Sequence, residues 1–197
     1  MSTKPVTTAD GPTVALVSVG RGDIRAFEPP TSRPSDLEFT QIGETHSYTR
    51  WQNSGTALYA AMASTDGTKR VIQTGTPPAD EITLATVTVA GQRIQDIAWS
   101  EALGESTLSG GSTLTSGKVV TTGPATLVAF WWGDAGVRYD KQAVPSAEFT
   151  VIDSILDSGA LVQCAVAVRQ VTEAGTYDVT WRAFPVQGAQ MWLVAIE

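Results

Sequence analysis

The chain has 197 residues, 42% of them apolar and 17% charged, which is the balance of a globular protein and excludes a disordered tail. Its formal net charge of −7 and thirteen scattered basic residues argue against a nucleic-acid partner, which needs clustered Lys and Arg. No apolar run approaches the roughly 18 residues that a membrane span requires, so membrane insertion is not expected.

The opening stretch MSTKPVTTADGPT lacks the apolar centre of a secretory signal. Residues 1–12 are predicted to be flexible, and synthesis in a cytoplasm is expected. Short β-rich runs follow, separated by Gly, Pro, Asp and Ser clusters, with almost no helical periodicity. Strands are predicted at 13–20, 23–27, 38–43, 56–63, 69–74 and 81–89. Further strands are predicted at 116–122, 125–132, 147–155, 160–171, 176–184 and 190–197. Many short strands at regular spacing predict an all-β sandwich or barrel, here one domain over 13–197. The Pro-rich segment 26–37 reads as a loop. The Gly/Ser/Thr-rich segment 100–117 reads as a surface loop or a pair of exposed edge strands.

Side-chain alternation assigns faces within these runs. In TYDVTWRAF, residues Tyr177, Val179, Trp181 and Ala183 share one face and Asp178, Thr180 and Arg182 the other. Trp181 is therefore an expected core anchor. In EITLATVTV both faces are half apolar, the pattern of a strand covered on both sides or packed at a subunit contact.

Candidate chemistry is sparse. Arg21-Gly22-Asp23 resembles an adhesive tripeptide, but it runs into the apolar strand predicted at 23–27 and reads as a turn. His46 is the only histidine and Cys164 the only cysteine, so neither a multi-His metal site nor an internal disulfide is available. Cys164 sits among apolar neighbours and is expected to be a small buried hydrophobe. There is no Gly-x-Ser-x-Gly elbow for a serine hydrolase. Asp134, Asp140, Glu148, Asp153 and Asp157 offer carboxylates for a glycosidase-type acid pair or for calcium, though no Asp-x-Asp-x-Asp-Gly loop is present. No metal and no cofactor are expected.

The doublet Trp131-Trp132 ends the strand at 125–132. Consecutive side chains point to opposite faces. Val128, Phe130 and Trp132 form the bulkier stripe, so Trp132 is assigned to the core and Trp131 outward. An outward Trp131, with Asp134, Arg138 and Tyr139, is the candidate carbohydrate-binding or interface site. A sugar ring stacks on an exposed aromatic face, a subunit interface is also rich in aromatics, and packing under a loop is the third alternative.

GDIRAF, FTQIGE, TALYAAMAS, EITLATVTVAGQRIQDI and the closing AGTYDVTWRAFPVQGAQMWLVAIE together resemble a jelly-roll β-sandwich module of phage and phage-like virion surface proteins, gene transfer agents included. The resemblance spans residues 13–197, with Phe39 where the module usually has Trp. It implies a jelly-roll-like antiparallel β-sandwich and no defined catalytic residue. It also implies a virion spike, fibre or decoration protein on the particle surface, attached to the host envelope by binding cell-surface or capsular polysaccharide. Its other expected partners are further virion proteins and copies of itself, with a trimer favoured. The alternatives are a purely structural virion subunit and a glycan-active hydrolase or lyase. The latter would combine an acid pair with a basic residue such as Arg138 or Lys141.

Overall fold

The computed structural model describes residues 1–7, 11–22, 27–63, 67–74, 81–103, 111–134, 141–156, 162–184 and 187–197. Among these the chain is all-β, with antiparallel sheets consistent with a β-sandwich and no helix. Its contacts gather into two compact units, 1–94 with 196–197, and 95–195.

The first unit is built on β2 (Thr13–Arg21), whose nine residues are all buried. β2 lies between β5 (Gly55–Ala63) and β7 (Ile82–Ala90), antiparallel to both and paired along its full length. β4 (Thr40–Ser47) extends this sheet beyond β5, with a register irregularity between Ile42 and His46. Gly43 sits in that irregularity at φ 74°, a conformation glycine adopts without strain. A second sheet has β6 (Lys69–Gln73) between β1 (Val6–Thr7) and β3 (Thr31–Arg33). Residues 1–7, read above as a flexible lead-in, run beside β6: Ser2 bridges to Gln73, and the Met1 ammonium donates to the Thr74 carbonyl at 2.6 Å. Val17, Val19, Tyr59, Ala61 and Leu84 of the first sheet pack with Ile72 and Val6 of the second, closing one core. Leu84 and Val87 lie on opposite faces of β7 and both are buried, as the two-sided apolar pattern requires.

Two arginines are buried in this unit, Arg21 and Arg70, and the second is held by a carboxylate. The Arg70 guanidinium is 2% exposed, and its Nε donates to both Asp36 carboxylate oxygens at 3.0 Å, with a further short contact from Nη2. Nη1 donates to the Thr68 carbonyl at 3.2 Å. A paired geometry of this kind offsets the cost of desolvating the cation.

The second unit has a five-stranded sheet in the order β13 (Thr150–Ile155), β14 (Val162–Val171), β11 (Ala125–Asp134), β17 (Gly188–Ile196), β8 (Ile94–Ala102). A three-stranded sheet has β16 (Thr180–Phe184) between β12 (Gln142–Pro145) and β9 (Ser112–Thr115). β10 (Val119–Thr121) pairs with β15 (Gly175–Tyr177). The predicted strand 176–184 is thus two strands. The break falls where Ser116 Oγ accepts the Val179 N–H at 3.1 Å and Ser116 N–H donates to the Val179 carbonyl at 2.9 Å.

Leu127, Ala129 and Trp131 of β11 face Val179, Trp181 and Ala183, with Ala165, Ala167, Ala189 and Ala195 completing the layer. Trp131 and Trp181 are 1% and 0% exposed, and their ring centroids are 5.5 Å apart. Trp181 is the expected anchor. Trp131 is not the outward residue expected; it is core. The Leu127–Ala129 stripe looks thin because Ala129 and its neighbours Ala165, Ala167, Ala189 and Ala195 are small, and the two indoles supply the volume those alanines leave. Trp132 points the other way and is also buried, at 4%. Both faces of β11 are therefore covered, and the strand has no outward side at the doublet.

Gly133 follows from the same packing. A Cβ there would strike the Trp131 indole nitrogen and lie 2.9 Å from Gln187 Oε1. Gly123 has open space around it. Gly133→Ala is expected to cost about 1–3 kcal/mol through overpacking, and Gly123→Ala less than about 0.5 kcal/mol, as read from urea midpoints. Equal midpoints for the two variants would contradict the placement of the indole.

Asp36→Ala strands the buried guanidinium and is expected to cost about 2–3 kcal/mol, the low end for a broken buried pair because Asp36 is partly exposed. Adding Arg70→Met should restore much of that loss. A double variant no more stable than Asp36→Ala would show that Arg70 contributes chiefly through something other than its charge pair.

Candidate functional site

The three-stranded sheet turns one face to its core and the other to solvent. Trp181 and Ala183 point inward, so Thr180, Arg182 and Phe184 point outward. The registers set the outward side chains in rows. Thr115 stands beside Thr180, their hydroxyls 2.9 Å apart. Arg182 stands between Thr113 and Val144, and Phe184 beside Gln142. Gly111, Ser112, Thr113, Gln142, Val144, Arg182, Ala183 and Phe184 line a concavity of about 480 Å³.

Phe184 is 52% exposed and Val144 is similarly open. An aromatic ring this exposed in a lined hollow is a stacking surface, and the side chains around it supply both kinds of hydrogen-bonding group. Gln142 brings an amide, Thr113 a hydroxyl and Arg182 a fork of donors. Two features hold the surface in place. Gln187, fully buried, donates from Nε2 to the Gln142 carbonyl at 3.2 Å, fixing β12. At Gly111 a Cβ would lie 2.9 Å from the Ala183 carbonyl and 3.8 Å from Phe184 Cδ2, so glycine lets this chain lie against β16 beside the ring.

A second, more open concavity of about 670 Å³ lies in the first unit along Thr40, Ile42, Ala60 and Met62. Of its charged lining residues, Asp36 holds Arg70, and Arg93 donates to Glu197 at 2.5 Å. Trp51 is the exposed tryptophan, at 53%, on a turn closed by Tyr48 N–H to the Ser54 carbonyl. It lines neither hollow.

The candidate residues named from sequence are placed differently. Trp131 is in the core. Asp134 ends β11 opposite Val162, while Arg138 and Tyr139 lie outside the described residues, as do Asp23, Asp140 and Asp157. Glu148 is exposed near a turn, and Asp153 is exposed beside the bulge of edge strand β13. No group of three or more Asp, Glu, His or Cys gathers for a metal among the described residues. Arg21 is buried, with its guanidinium 5.9 Å from the Phe27 ring. His46 is half-buried on β4, opposite Thr56. Phe184 and Arg182, the residues the concavity presents, were available in TYDVTWRAF, where the alternation that puts Trp181 inside puts its even-numbered neighbours outside.

Cys164 is buried, and its thiol is pushed up from 9.0 to about 11, first by burial, then by the nearby Asp153 carboxylate, against a hydrogen bond from the Ile155 backbone. Below pH 9 the thiol is neutral folded and unfolded, so it adds no pH dependence. Between pH 9 and 11 the unfolded chain releases its proton while the folded one holds it, and stability falls as pH rises. Native protein at pH 8 should resist maleimide and react only on unfolding. Rapid native labelling would contradict the burial of Cys164.

No protein-family model, curated protein or solved structure matches this chain.

Proposed function

We propose that this protein is a carbohydrate-binding attachment module, and that its binding surface is the outward face of the β12–β16–β9 sheet. One observation carries the reading: a half-exposed phenylalanine in a hollow, ringed by an amide, a hydroxyl and a guanidinium. This is the mixture a saccharide needs, an apolar face for the ring and short polar arms for its hydroxyls. No carboxylate is among the described lining residues, which favours holding a glycan over hydrolysing one by an acid pair.

The wider setting belongs to the same proposal. The motif resemblance supports a virion-surface protein of a phage or phage-like particle that attaches to host polysaccharide, alongside other virion proteins. A homo-oligomer, most simply a trimer, fits that setting. Val151, Ile152 and Ile155 on edge strand β13 are exposed apolar surface of the kind a neighbouring subunit covers.

Binding to an array of bacterial surface glycans tests the reading. Wild-type protein should be retained, and Phe184→Ala should weaken retention by about 2 kcal/mol, the scale of an aromatic hot spot, with an unchanged melting temperature. Equal retention of the variant would remove the site. Shortening of the polysaccharide during incubation would replace the reading by the enzymatic one.

A further inference from the structure

The hollow around Phe184 carries a charge of its own. Arg182 is the only charged residue among those described in its lining. Its guanidinium makes no ion pair or hydrogen bond with any described residue, whereas Arg70 and Arg93 elsewhere are paired with carboxylates. The chain as a whole carries −7. A lone cation beside an aromatic platform, on an otherwise acidic protein, is a local reversal of sign.

We infer that the saccharide held by this face is acidic, a polymer whose sugar units bear carboxylates, with Arg182 gripping the acid group while the ring stacks on Phe184. The inference rests on the carbohydrate reading above and adds the class of sugar. The geometry suits it. Arg182 is the residue two before Phe184 on one strand, so both project from the same face about 7 Å apart along the strand, roughly the span of one sugar unit. The guanidinium fork matches a carboxylate in two parallel hydrogen bonds, which an ammonium cannot do. The acidic remainder of the protein repels a polyanion, so engagement is confined to this face and is sensitive to salt. A nucleic acid would need a track of cations along its phosphates, and the described face offers one.

Affinity electrophoresis in gels containing alginate, polygalacturonate or hyaluronan tests this, each beside the same polymer with its carboxylates methyl-esterified. Wild-type protein should be retarded more strongly by at least one acidic polymer than by its ester, and the difference should shrink as salt is raised. Arg182→Gln should lose about fivefold in affinity for the acid form, the range of an exposed charge pair, and distinctly less for the ester, so that the preference for acid over ester shrinks. Phe184→Ala should weaken retardation by both. Both side chains are exposed, so neither variant threatens the fold.

Equal retardation by acid and ester, abolished by Phe184→Ala, would overturn the acidic-sugar inference and leave the carbohydrate site standing. Failure of every polymer to retard the protein would overturn it too, as would an acid preference untouched by Arg182→Gln. Indifference to Phe184→Ala would take the site itself down. Stronger retardation by single-stranded polyuridylate than by any acidic polysaccharide would assign the face to nucleic acid and overturn the inference.

Discussion

The contact between Trp131 and Trp181 sets the geometry of the second unit. The two indoles meet in a layer in which half of the other residues are alanine, and they fix how far the three-stranded sheet stands from the five-stranded one. Trp181 can point inward only if its neighbours on β16 point outward. The exposed row of Thr180, Arg182 and Phe184 is thus the reverse side of a packing decision made in the core. Gly133 gives the Trp131 indole room, and Gln187, beside Gly133, ties β12 into place.

The sequence makes most strands legible because their signal is local. β2, β5 and β7 read as long apolar runs and fold as such. β8 escapes because every one of its residues is half-buried; with neither face clearly apolar, IQDIAWSEA has no period to detect. β12 escapes because four residues ending in proline form a strand only by pairing with β16. β9 hides in a Gly/Ser/Thr-rich stretch whose composition suits a loop or an exposed edge, and it is an edge.

The Trp131–Trp132 doublet shows where local reasoning gives out. Alternation states that the two rings part company, and they do. Trp132 is buried as its stripe predicts; whether Trp131 is buried as well depends on what stands opposite the second stripe, and that is decided by residues dozens of positions away. Bulk along β11 identifies the Val128–Phe130–Trp132 stripe as buried; only its partners show that the Leu127–Ala129–Trp131 stripe is buried too, in an alanine-rich layer. The exposed aromatic was legible all the same. Extending the alternation of TYDVTWRAF by one residue reaches Phe184, and the search for a platform stopped at the tryptophans because they are the larger rings.

The order of strands in the five-stranded sheet has a kinetic side. β17 lies between β11 and β8, and β8 has no other neighbour in its sheet. Gln190 of β17 reaches Glu101 of β8 across 89 positions of chain. Until β17 arrives, β8 has no ladder to join and β11 presents a bare edge flanked by Phe130 and Trp132. Closing a loop of that size is entropically costly and is repaid only when the whole strand docks. Whenever β17 is undocked, an apolar strand, β11, is open on one side, the arrangement in which a β-rich chain is most exposed to pairing with the wrong neighbour.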